Sequence, residues 1–183
     1  MAKTKTGKKY IICDALPADQ GKTSTLVGVY NRLLSDPHFI LITVQNPPRL
    51  KRDRWGIFVE KKTGLKILIQ TQGDKDFSYD RTKEFFEEKN KGDIGDIGDI
   101  GDIRDIRDIR DIRDIRDIDI IIIASHMHGC TLNNVQYIAK TYNYTEIYFG
   151  NFRPKDKYSW QPPYSNIIMD TNIDALYNLI CKL

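Results

Sequence analysis

Apolar residues in this chain gather in short runs between polar stretches, and their spacing predicts strands alternating with helices. Residues 9–13 (KYIIC) read as a short buried strand. Residues 22–34 carry Leu26, Val27, Tyr30, Leu33 and Leu34 at helical spacing, which predicts an amphipathic helix. Residues 39–44 are strand-like and are closed by Pro47 and Pro48. The runs 55–60 and 65–71 flank Lys61-Lys62-Thr63-Gly64 and predict a β-hairpin. A short helix is expected over 78–89, with Phe85 and Phe86 on its apolar side, and a fully buried strand over 119–125. A helix over 132–142 and a strand over 146–150 follow. The chain closes with a helix over 174–183, with Leu176, Tyr177 and Ile180 on one face and Thr171 or Asn172 as its cap. Such alternation implies an α/β fold, a mainly parallel sheet covered on both faces.

Residues 92–118 break the pattern. They read GDI four times and then RDI five times, a period of three that fits neither the 3.6 of an α-helix nor the 2.0 of a strand. We read them as a low-complexity insertion without chemistry of its own, set into a single domain made of 1–91 and 118–183. Without it the domain has about 155 residues, a common size. On this reading, deletion of residues 95–116 is expected to leave a soluble protein.

Composition narrows the class. A formal charge of +3 on 28 basic and 25 acidic residues is close to balanced, and gives no support for nucleic acid as a partner. Cys13, Cys130 and Cys181 are odd in number and far apart, which points to a reducing compartment. The apolar stretch after the basic N-terminus is too short for a signal peptide, and the longest apolar run, 120–124, is far short of a membrane span. A soluble, cytoplasmic protein is expected, with no membrane partner.

The chemistry concentrates after the first strand. That strand leads through Asp14-Ala15-Leu16-Pro17-Ala18-Asp19-Gln20 into Gly21-Lys22-Thr23-Ser24, where the amphipathic helix begins. Backbone N–H groups and a helix N-terminus then converge on an anion, with Asp19, Gln20, Gly21, Lys22, Thr23 and Ser24 as the cradle. Lys22 would reach the β- and γ-phosphates, and the Thr23 hydroxyl would ligate Mg²⁺. The pattern GxxxxGK[ST] is met at Gly21, Lys22 and Thr23, with Leu16 at the place of its first glycine.

On these residues the chain resembles the P-loop NTPases, and this resemblance implies their three-layer fold and a site for ATP with Mg²⁺. The hairpin resembles the second and third strands of Ras-like GTPases, where the third strand ends in Asp-Thr-x-Gly. Here Gln70 stands in place of that aspartate while Thr71 and Gly73 keep their places. By this resemblance the hairpin brings in one antiparallel strand. Gly73 would meet the γ-phosphate, Asp74 would substitute as the metal carboxylate, and Gln72 or Asp74 would orient the attacking water. The chain also resembles a group of small, poorly characterised bacterial P-loop ATP-binding proteins. The matching motifs are Gly21-Lys22-Thr23-Ser24-Thr25, Gln72-Gly73-Asp74 and Ala124-Ser125-His126-Met127-His128-Gly129. The last of these places Ser125 at the nucleotide and puts histidines where that group has arginines. It contains no Asn-Lys-x-Asp element, which favours ATP over GTP.

Other clusters read as ordinary surface. His126, His128 and Cys130 alternate like metal ligands without a fourth at diagnostic spacing, so a polar loop lining the site is preferred. The basic run 49–54, and Arg153, Lys155 and Lys157 beside Tyr158 and Trp160, read as solvated loops. The expected function is Mg²⁺-dependent ATP binding, with slow hydrolysis or a nucleotide-dependent switch acting on a protein partner of unknown identity. A small P-loop kinase and a non-hydrolysing nucleotide-binding module are the alternatives.

Overall fold

The structure, a computed structural model, describes residues 7–15, 21–45, 54–71, 115–126, 129–150 and 164–183. Six strands and three α-helices appear among them: β1 (Tyr10–Ala15), α1 (Lys22–Ser35), β2 (Phe39–Gln45), β3 (Trp55–Glu60), β4 (Lys66–Gln70), β5 (Ile120–Ser125), α2 (Cys130–Tyr142), β6 (Thr145–Phe149) and α3 (Tyr164–Ile180). The sheet runs β2-β3-β4-β5-β1-β6. β1 pairs in parallel with β5 and β6, and β4 in parallel with β5. β3 is antiparallel to both β2 and β4, so it alone runs against the others, as the hairpin implied. The 78–89 helix lies outside the described residues, as does most of the repeat.

Alternation along the strands sorts side chains to two faces. Ile12, Ile67, Ile69, Ile120 and Ile122 pack with Leu26, Val29 and Leu33 of α1 and with Leu176 and Ile180 of α3. Ile11, Cys13, Leu68, Ile121 and Ile123 pack with Val135, Ile138 and Ala139 of α2 on the other face. Helices therefore cover both sides of the sheet, and β5, with parallel neighbours on each edge, is buried throughout. No helix among the described residues is long and apolar enough to cross a membrane.

Three expectations change. The last helix begins at Tyr164, ten positions before the expected 174, and ends at Ile180. Its buried stripe is Ile168, Asn172, Leu176 and Ile180, and the polar Asn172 within it hides the periodicity. Thr171 is not a cap: its hydroxyl donates to the Ile167 carbonyl at 2.8 Å, inside the helix. On α1, Leu34 is 54% exposed while Val29 is fully buried, so the apolar face is turned by about one residue from the expected stripe. α1 stops where Asp36 adopts an extended backbone (φ −81°, ψ 119°) before Pro37.

The third change concerns the repeat. Its last turn, Ile115–Asp117, is a 3₁₀ helix that carries Ile115 and Ile118 into the core beneath α2. The buried Tyr144 hydroxyl is shared between the carbonyls of Ile115 (2.6 Å) and Ile118 (2.7 Å). Lys9 reaches the Arg116 carbonyl and lies over the Tyr144 ring. A 3₁₀ helix has three residues per turn, so isoleucines three apart share one face there.

Candidate functional site

Four parallel strands end at one edge of the sheet: β4 at Gln70, β5 at Ser125, β1 at Ala15 and β6 at Phe149. The buried polar side chains gather at this edge. Asp14, Lys22, Thr25, Gln70, Thr71, Ser125 and Thr131 are all buried there, and Asn172 of α3 is the eighth such residue among those described.

Two helices open on the same edge, each through a glycine in the left-handed range. Gly21 (φ 82°) precedes α1 and Gly129 (φ 88°) precedes α2. A side chain is strained at such φ, which is the physical reason for glycine at both junctions. Glycine has no side-chain oxygen, so no N-cap side chain bonds the first turn of either helix. Neither first turn contains an acidic residue. α1 lies on one face of the sheet and α2 on the other, so the two positive helix ends flank β1 and β5.

Lys22, the first residue of α1, is only 7% exposed. Asp14, the residue before the end of β1, is fully buried and by alternation shares the α1 face with Ile12. Cys13 itself faces α2, and its thiol feels Asp14 and Glu146, which raise its pKa, and Lys22, which lowers it. Burial outweighs all three and pushes the Cys13 thiol up to about 12, against a partial offset from its hydrogen bond with Ser125. Cys13 is thus a neutral packing group and no nucleophile.

The Thr23 hydroxyl donates to the Thr71 carbonyl at 3.3 Å. β5 separates β1 from β4, so β1 and β4 are two strand spacings apart, about 10 Å. The first turn of α1 therefore lies over β5 and reaches β4. Thr71 is itself held by Arg54, whose N–H donates to the Thr71 hydroxyl at 2.7 Å and whose carbonyl accepts the Thr71 N–H at 2.9 Å. On the other face Ser125 donates to the His126 carbonyl (2.9 Å) and lies 3.2 Å from the Thr131 hydroxyl, which also accepts the His126 N–H at 3.1 Å. These bonds tie Ser125 and His126, where the chain leaves β5, to the first turn of α2.

Of the residues singled out from sequence, Gly21, Lys22, Thr23, Ser24 and Ser125 stand together at this edge, with Ser24 exposed. Asp19, Gln20, Gln72, Gly73 and Asp74 lie outside the described residues, as do His128, residues 49–53 of the basic run and the 153–160 cluster. Among the described residues no three His, Cys, Asp or Glu side chains could hold a metal together. Asp14, Thr71 and Thr131 were not marked as site residues. Asp14 was legible as an acid at the end of an apolar strand and Thr71 as the threonine kept from the Asp-Thr-x-Gly pattern, but Thr131 gave no signal beyond an ordinary polar residue.

The chain matches no family model, no curated protein and no solved structure.

The opposite end of the sheet differs in character. A cavity of about 450 Å³ lies there, lined by Asp36, His38, Glu60, Lys62 and Cys181 among others. Its carboxylates already serve local structure. Asp36 accepts from the His38 N–H at 2.8 Å and from the Tyr177 hydroxyl, and Glu60 accepts the Thr63 N–H at 3.0 Å.

Proposed function

We propose that this chain is a P-loop NTPase-like protein that binds Mg²⁺·ATP at the C-terminal edge of its sheet. The observation that carries this reading is the Gly21 turn, which opens α1 toward that edge with the Lys22 side chain buried against it. The first N–H groups of an α-helix have no acceptor within it, and the helix dipole adds positive potential at the end that Gly21 opens. A phosphate chain satisfies both, and Lys22 supplies a full charge.

The donor set fits the metal in kind. Mg²⁺ needs only one or two protein oxygens beside phosphate oxygens and water, and the Thr23 hydroxyl, next to Lys22 at the start of α1, would supply one hard oxygen. Gln72, Gly73 and Asp74 follow Thr71 directly in sequence, which keeps them candidates for the γ-phosphate, for the attacking water and for a second metal oxygen. Slow hydrolysis or a nucleotide-dependent switch in the cytoplasm is the corresponding activity. Cys13 and Cys181, both free thiols, suit a reducing compartment.

Calorimetric titration with Mg²⁺·ATP and Mg²⁺·GTP, followed by phosphate release, tests the reading. ATP should bind at least as tightly as GTP. Lys22→Ala should weaken ATP binding by about tenfold or more, the scale of one charged hydrogen bond, with an unchanged melting temperature. Equal ATP affinity in a folded Lys22→Ala protein would overturn the proposal.

A further inference from the structure

The pairing of β3 with β4 sets up an expectation that Thr71 breaks. Along this antiparallel pair the hydrogen-bonded rungs alternate. The Glu60 N–H donates to the Leu65 carbonyl at one end, and the Thr71 N–H donates to the Arg54 carbonyl at the other, both at 2.9 Å. In a regular rung the two residues exchange two bonds, so the Arg54 N–H would donate back to the Thr71 carbonyl. It does not. It donates to the Thr71 side-chain hydroxyl at 2.7 Å. The Thr71 carbonyl is thereby released from the ladder, and the Thr23 hydroxyl occupies it at 3.3 Å.

We infer that Thr71 is a positioning residue for the divalent cation bound with the nucleotide: its hydroxyl takes over a ladder bond, which leaves its carbonyl to aim the Thr23 hydroxyl. This rests on the nucleotide reading above and adds to it the device that sets the geometry of the metal oxygen. A hydroxyl has one proton and two lone pairs. When the Thr23 proton points to Thr71, the lone pairs face away from β4 and are presented to a cation. The 3.3 Å separation is long for a hydroxyl donor, so the contact is a loose one without the cation. Ligation would polarise the O–H bond and strengthen it as a donor, so the cation and the Thr71 carbonyl reinforce each other. Thr71 is fully buried, so water competes weakly for its hydroxyl and carbonyl.

The side chain at 71 therefore controls the site without touching it. Valine has the shape of threonine but no acceptor, so in Thr71→Val the Arg54 N–H must reclaim the carbonyl and draw it from Thr23. Serine keeps the acceptor. The experiment measures ATP affinity by calorimetry across a Mg²⁺ series and in EDTA, for the wild type, Thr71→Val, Thr71→Ala, Thr71→Ser and Lys22→Ala. Thr71→Val and Thr71→Ala should each need about five- to tenfold more Mg²⁺ for half-maximal ATP binding, the scale of one net hydrogen bond. Their affinity in EDTA should stay within about twofold of the wild type, and Thr71→Ser should follow the wild type throughout. Thr71→Ala removes the same oxygen and serves if the valine variant does not fold. A folded variant lacking the oxygen but with wild-type Mg²⁺ dependence would overturn the inference, as would equal loss in Thr71→Ser. Lys22→Ala separates the two ideas. If it loses ATP while the Thr71 variants keep normal Mg²⁺ dependence, the nucleotide reading stands and the Thr71 role falls. A wild type that binds no ATP would remove both.

Discussion

The docked end of the repeat makes a sharp claim about phase. Ile115 and Ile118 are buried three residues apart, and the carbonyls of both accept the Tyr144 hydroxyl. Deleting residues 95–115 joins Ile94 to Arg116 and rebuilds Ile-Arg-Asp-Ile, with Ile94 in the place of Ile115. Deleting one residue more, 95–116, joins Ile94 to Asp117 and leaves the isoleucines two apart. The 3₁₀ turn then cannot point both inward. A lost buried isoleucine costs about 2–5 kcal/mol, and an orphaned bond to Tyr144 adds about 1 kcal/mol. That is a large share of a typical stability of about 5–15 kcal/mol. Shortening the connection itself is worth only about 0.6 kcal/mol per halving, in the stabilising direction.

Urea denaturation followed by fluorescence distinguishes the two deletions, since Trp55 is buried in the same core as Ile118. With a slope near 2 kcal/mol per molar, the 95–116 deletion should unfold at about 1.5–3 M less urea than the 95–115 deletion. The 95–115 protein should match the full chain within about 0.5 M. This replaces the expectation that deletion through residue 116 is harmless. Coincident midpoints for the two deletions would refute the phase argument, and joint collapse would mean that upstream triplets hold the fold.

Two smaller tests follow from the core. Because burial keeps the Cys13 thiol protonated up to about 12, the unfolded chain loses that proton first as pH rises. Stability should therefore fall between the ordinary thiol range and about pH 12, by up to about 1.4 kcal/mol per pH unit, and Cys13→Ala should flatten the slope in pH-dependent denaturation. At Gly28 an added Cβ would meet Ile173 Cδ1 at 2.2 Å and Cγ1 at 2.6 Å. Overpacking of about 1–3 kcal/mol exceeds the helix gain of about 1 kcal/mol, so Gly28→Ala should lower the melting temperature and Ile173→Ala should restore part of the loss.

Local elements were legible because local chemistry sets them. The hairpin turn Lys61 to Gly64 and the apolar run of β5 both act within a few residues. Strand order was not legible. Periodicity tells a residue's face, not its neighbour, so nothing in β4 announced that β5 would come between it and β1. The start of α3 was missed because Asn172 interrupts its stripe. The repeat was read against periods of 3.6 and 2.0 alone, while its final turn uses the period of a 3₁₀ helix. At the site, Gly21-Lys22-Thr23 could be read from spacing, but Thr71 matters through which of its two oxygens faces Arg54. That is a fact of pairing and leaves no trace in composition.

The two ends of the sheet differ in how their polar groups are used, and this difference supports the proposed site more than any single residue does. A buried polar group left unsatisfied costs about 1–3 kcal/mol, so a fold keeps such groups only where partners hold them. At the far end, Asp36, His38, Tyr177, Glu60 and Thr63 close on one another within turns and helix ends, and this chemistry is complete in itself. At the near end the threonines and Ser125 spend their bonds on shaping loops and on aiming one hydroxyl, while two glycine-opened helices direct their N-termini outward. A Ser, Thr or Asp at those junctions would gain only about a few tenths of a kcal/mol each over glycine as a cap, so capping alone decides little there. Glycine at both junctions, with Lys22 buried beside one of them, is the arrangement on which the proposed phosphate site rests.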